Sequence, residues 1–83
     1  MAQIDELDRT DLVERVNQLQ TALDSRIVIE QAKGMLAAWH ELPLERAFDV
    51  LRRGARSHQM RIHDLARRVV DERRTPPEIE KYL

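Results

Sequence analysis

The chain has 83 residues, 35% of them charged, a formal net charge of −1 and no cysteine. That size fits one domain, near the lower limit at which a hydrophobic core holds without staples. The missing thiols exclude disulfides and thiolate metal sites and fit a reducing compartment. No apolar stretch reaches the ~18 residues of a membrane span, and the acidic start at Asp5-Glu6 is unlike a signal peptide. A cytoplasmic protein is expected, with no membrane role and with self-association to enlarge its core.

The small net charge hides a segregated chain. Residues 1–45 carry nine acids and four bases, whereas residues 46–74 carry nine bases, all arginine, and four acids. Two solvated helical faces of opposite sign would produce this balance, and so would a basic half that meets an anion. Arginine suits the second reading because its guanidinium fork binds phosphate and guanine edges bidentately.

Every periodic segment is helical. Leu12, Val16, Leu19 and Leu23 follow the 4-3-4 spacing of a coiled-coil seam. Asp11 and Glu14 have the spacing of a capping box, with Asp8 an earlier alternative start, so a first helix is expected from Asp11 to about His40, with residues 1–9 frayed or forming a separate turn. Its apolar pattern broadens at Ile27-Val28-Ile29, and a second face follows through Ala32, Met35, Leu36 and Trp39. The first half therefore reads as the seam of a parallel dimer and the second as the floor of a bundle. Gly34 is the one breaker inside it. Glycine in a helix interior costs about 1 kcal/mol relative to alanine. Either something approaches the backbone closely at residue 34, or the helix is meant to be weak there.

Pro43 suits the start of a second helix. Leu44, Ala47, Phe48, Leu51 and Ala55 form its apolar stripe, and Gly54 and Ser57 are expected to loosen its end. Ile62, Leu65, Ala66, Val69 and Val70 repeat the pattern on a third helix, which runs out into Thr75-Pro76-Pro77. A terminal turn over Glu78 to Leu83 would be too short to stand alone. The expected fold is all-α: a long N-terminal coiled-coil helix leading into a three-helix bundle, dimeric. The expected division is a coiled-coil extension over 1–19, a helical domain over 20–74 and a tail over 75–83.

The run from Ala22 through Arg26 to Ala32-Lys33-Gly34 resembles the signature of ANTAR domains, RNA-binding modules of bacterial transcription antitermination regulators. The resemblance continues through Leu44, Ala47, Phe48, Leu51, Arg52, Arg53, Ala55 and Arg56, and then through Ile62-His63-Asp64-Leu65-Ala66-Arg67 with Val69-Val70. It covers residues 20–71 in three blocks at family spacing. It implies a protein that binds hairpins in a leader transcript and prevents a terminator from forming. It departs from the family at Glu41 and Pro43, where relatives usually place a glycine and a capping serine or threonine. Gly54, Gln59 and Met60 replace an aromatic or histidine, an asparagine and a basic residue. These last three are expected near the RNA surface and away from the core.

The candidate RNA-binding residues are Arg26, Lys33 and Gly34 on the first helix, Arg52, Arg53 and Arg56 on the second, and Arg61 and His63 at the start of the third. Arginine can bond a guanine edge, stack on a splayed base and neutralise phosphate. The structural alternative has Arg26 and Lys33 bridged by Glu30, with Gly34 allowing two helices to cross. With only Trp39, Phe48 and Tyr82 as aromatics, a sheet-type platform that stacks bases is excluded. His40, His58 and His63 do not share a helical face, so no metal is expected; no cofactor, small-molecule substrate or enzyme activity is indicated either. The partners expected are RNA hairpins and a second copy of the chain, or a related regulator in a heterodimer. The competing reading is a protein–protein module pairing with a sensor-bearing regulator. A DNA-binding helix-turn-helix is disfavoured by Asp64 and Asp71 beside Arg67-Arg68.

Overall fold

The computed structural model describes residues 2–83, with side chains from residue 11 onward. Four helices follow one another: α1 (Ala2–His40), α2 (Leu44–Ser57), α3 (Ile62–Glu72) and α4 (Pro77–Glu80). The molecule is 59 Å long and 23 by 21 Å across. Its length comes from α1, which continues well beyond the bundle.

Helix α1 starts earlier than the Asp11 capping box suggests. No proline or glycine interrupts residues 2–10, so propagation adds a bond per residue and the helix runs back to Ala2. Asp11 is interior to it and pairs at 3.0 Å with Arg15 one turn on.

Helix α2 doubles back along α1, and α3 returns beside both. Val28, Ala32 and Leu36 of α1 meet Ala47, Val50, Leu51 and Ala55 of α2 and Leu65, Ala66 and Val69 of α3. Full burial of each Leu, Ile or Val is worth about 1.5–3 kcal/mol. His40 Nε2 and Thr75 Oγ1, 2.6 Å apart, fasten the end of α1 to the segment leaving α3.

Each of the three longer helices ends on a left-handed residue: Glu41, Gln59 and Arg73, all at φ 53°. Leu42 N–H donates to the Ala37 carbonyl at 3.0 Å and Met60 N–H to that of Ala55 at 2.8 Å, the 6→1 bonds of Schellman caps. Arg73 N–H donates to the Val69 carbonyl at 3.0 Å, the simpler αL closure. Glu41 and Gln59 thus hold left-handed places, the two positions at which the resemblance implies glycine and asparagine. The expected turns form, with residues that adopt this conformation less readily.

The buried side of α2 is rotated from the expected stripe. Leu44 is 54% exposed and Phe48 38%, so both sit at the rim, whereas Val50 and Gly54 are buried. The cause is the C-terminal segment. Pro76 and Ile79 are fully buried, and α4 packs against α2 on the side of Val50 and Gly54. Gly54 therefore belongs to the core, contrary to the expectation that it lies at the RNA surface, and α2 stays helical through it to Ser57. A Cβ there would collide with Ile79 Cγ2 and lie 3.0 Å from the Glu78 carbonyl oxygen. Met60 too packs half-buried on the core; only Gln59 of the three divergent residues is exposed.

Candidate nucleic-acid interface

The side chains proposed from the sequence divide over three faces. Lys33 lies where α1 meets α2: its Nζ is 5.2 Å from the Phe48 ring centroid and 3.1 Å from Glu30 Oε1. Only 18% of that side chain is exposed. Phe48, displaced to the rim, gives the ammonium an aromatic face. Arg26 stands two turns earlier on the same side of α1. Arg52 and Arg56 stand one and two turns beyond Phe48 on the antiparallel α2. Of these, only Lys33 reaches across the α1–α2 junction; Arg26, Arg52 and Arg56 are exposed on the two helices, Arg52 turned to Asp49. Glu30 bridges to Lys33, as the structural alternative supposes, but not to Arg26; among the described residues neither Arg26 nor Arg56 makes an ion pair.

Asp49 organises the outer side of α2. Its carboxylate accepts from Arg46 Nη1 at 3.0 Å and Arg52 Nη2 at 2.9 Å, and pairs with Arg53 Nε at 3.0 Å. The hydrogen bond from Arg52 above all, then the positive fields of Arg53 and Arg46, holds this carboxyl below the usual aspartate range. Arg46 also donates to the Tyr82 carbonyl at 2.5 Å, linking the cluster to the chain's end. Asp49 and Arg46 lie outside the site residues expected from the sequence. The signal was present: residues 46, 49, 52 and 53 have the spacings at which helical side chains meet.

Gly34 is not with Lys33. One residue on, it is turned about 100° round α1, to a side where an added Cβ meets nothing within 4 Å. It borders an open groove between α1 and α3, with Met35, Ala38, Trp39 and Val70. His63 stands two turns before Val70 on the same side of α3. Its Nδ1 is buried and has no hydrogen-bond partner among the described residues. Arg61 is the N-cap residue of α3, at the α2–α3 turn. The other histidines hold the backbone in shape: His40 bonds Thr75, and His58 Nδ1 lies 3.1 Å from the Gly54 carbonyl oxygen.

What the fold defines is a small helical domain with arginines exposed on α1 and α2 and a projecting helix. The ANTAR domain family model matches residues 17–70, and the chain belongs to that family. ANTAR domains are regulatory modules known for RNA binding in transcription antitermination. The match begins within α1 and ends in α3, so it includes the whole α1–α2 junction. Searches of curated proteins and of solved structures give no match.

Proposed function

We propose that this protein binds hairpins in leader transcripts through the α1–α2 face and thereby keeps a terminator from forming. The observation that carries the reading is Lys33 seated over the Phe48 ring where α1 meets α2, with Arg26 exposed two turns earlier on α1 and Arg52 and Arg56 exposed on α2. Such a surface offers a fixed row of cations with guanidinium forks, suited to a folded RNA loop and its phosphates. The protein breaks no bond. It shifts an RNA folding equilibrium by holding one conformer better than the other. Nascent transcripts are its substrate, so it acts in the bacterial cytoplasm.

Leu12, Val16, Leu19 and Leu23, the proposed dimer seam, are 55–66% exposed along the projecting part of α1. This favours association with a second copy, or with a sensor-bearing relative. The two readings combine: pairing brings two heads to one transcript, each taking one hairpin.

Titration of Lys33→Ala and Arg56→Ala against a hairpin and a scrambled loop at two salt concentrations tests the RNA reading. A phosphate contact at Lys33 predicts uniformly weaker binding and a salt slope reduced by about 0.7–0.9. A base contact at Arg56 predicts a cost of roughly 1–3 kcal/mol and a relaxed loop preference. Unchanged affinities in both variants would leave the protein–protein module as the better account.

A further inference from the structure

At about 100° per residue, Arg46, Asp49, Arg52, Arg53 and Arg56 fall within an arc of about 120° on α2. The arc lies opposite Ala47, Leu51 and Gly54, on the buried side of that helix. Guanidinium groups crowded on one exposed strip repel one another and, left free, sample many rotamers. Asp49 is the acid at the middle of the strip. Its carboxylate takes Arg52 Nη2 at 2.9 Å, Arg46 Nη1 at 3.0 Å and Arg53 Nε at 3.0 Å, from one turn on either side. Glu45, at the N-terminal end of the same arc, pairs with none of them among the described residues. The Asp49 side chain is 23% exposed, against 40–57% for its three arginines, so the charges that reach solvent are positive.

The donors left over suit phosphate. Arg53 pairs through Nε, which leaves both Nη groups, the end-on fork of the guanidinium. Arg52 gives one Nη2 hydrogen to Asp49 and meets no other acceptor among the described residues. Arg46 is held twice, by Asp49 and by the Tyr82 carbonyl oxygen at 2.5 Å, which ties the strip to the C-terminal segment. From residue 46 to residue 53 the strip runs about 10 Å along the helix, a length that spans successive phosphates of a nucleic-acid strand.

We propose that Asp49 is a positioning residue for RNA, holding Arg46, Arg52 and Arg53 in a pre-formed fan that takes successive phosphates of one strand. This role rests on the RNA reading above, and it extends the RNA surface to the outer side of α2 and to Arg46. By charge alone an acid beside a phosphate site weakens binding, since its field repels the anion. It strengthens binding where it orders the donors beforehand, because their rotamer freedom is then lost on folding rather than when the RNA arrives. The two effects have opposite signs, so one substitution separates them. Asp49→Asn keeps the shape of the side chain and removes the charge that gathers the arginines.

The order is read first without RNA, by nuclear magnetic relaxation of the arginine Nε–H groups. In the native chain Arg46, Arg52 and Arg53 should be restricted and Arg56, which has no ion pair among the described residues, mobile. In Asp49→Asn all of them should be mobile, with the far-UV spectrum unchanged. Equal mobility of the four arginines in the native chain would overturn the pre-formed fan. Binding is then measured with a labelled RNA hairpin of randomised loop, since phosphate contacts carry no sequence, and with inorganic polyphosphate, a flexible anion that adapts to mobile donors. Asp49→Asn should weaken the hairpin by roughly fivefold or more, while polyphosphate binds equally well or tighter. Asp49→Glu, which still reaches arginines three and four residues away, should recover most of the hairpin affinity. Hairpin binding unchanged or tighter in Asp49→Asn would make Asp49 a bystander charge and end the proposal. A native chain that shows the ordered arginines yet binds no hairpin would remove the RNA reading itself, and the role with it.

Discussion

Replacing Gly54 with alanine separates helix propensity from packing. On propensity alone the change should stabilise α2 by about 1 kcal/mol. The structure reverses the sign. The added Cβ collides with Ile79 Cγ2, approaches the Glu78 carbonyl oxygen to 3.0 Å and reaches 3.3 Å from Leu65 Cδ2. Ile79 is fully buried and has nowhere to retreat, so α4 must lift. Losing the burial of Ile79 costs about 1.5–3 kcal/mol. After the propensity gain, Gly54→Ala should be destabilising by about 0.5–2 kcal/mol, which in a domain of this size lowers Tm by roughly 2–16 °C. Ile79→Ala alone should cost about 2–5 kcal/mol. In that background the closest contact is gone while the Glu78 carbonyl oxygen stays at 3.0 Å, so Gly54→Ala should cost distinctly less than it does in the native chain. Urea and thermal unfolding of the four proteins, followed by far-UV circular dichroism, gives the coupling directly. A Gly54→Ala that stabilises equally in both backgrounds would refute the reasoning, since α4 would then not be seated on residue 54.

Two further outcomes concern stability and pH. Glu41→Gly relieves a left-handed residue at φ 53° and should stabilise by about 0.5–1 kcal/mol, the strain removed outweighing the extra freedom of the unfolded chain; a lower Tm would show that Glu41 contributes more than its backbone conformation. Asp49 titrates lower in the folded state than in the unfolded chain, where aspartate is near 3.9. Its stabilising contribution is therefore complete above about pH 4 and is lost as pH falls through the lower folded value. Asp49→Asn should remove that part of the acid dependence, and an acid limb identical in the two proteins would show that the arginines do not need this carboxylate.

Much of this protein was written in local spacing. The 3.6-residue period over Ile62 to Val70 and the proline before Leu44 place the starts of α3 and α2 within a residue of where they lie, because an amphipathic stripe long enough to bury is a one-dimensional signal. The family was legible for the same reason: its three blocks are short runs at fixed intervals. What escaped depends on which elements meet. The start of α1 lay beyond a plausible cap that an uninterrupted helix did not need. Gly54 reads as a weak point in isolation and becomes a core position only once Ile79, twenty-five residues away, is laid against it. Phe48 follows the same logic in reverse. Packing by α4 rotates α2 and leaves the ring at the rim, where Lys33 covers it. Adjacent in sequence, Lys33 and Gly34 make one motif; a helix turn sends them to different faces, and only tertiary packing determines what each face meets.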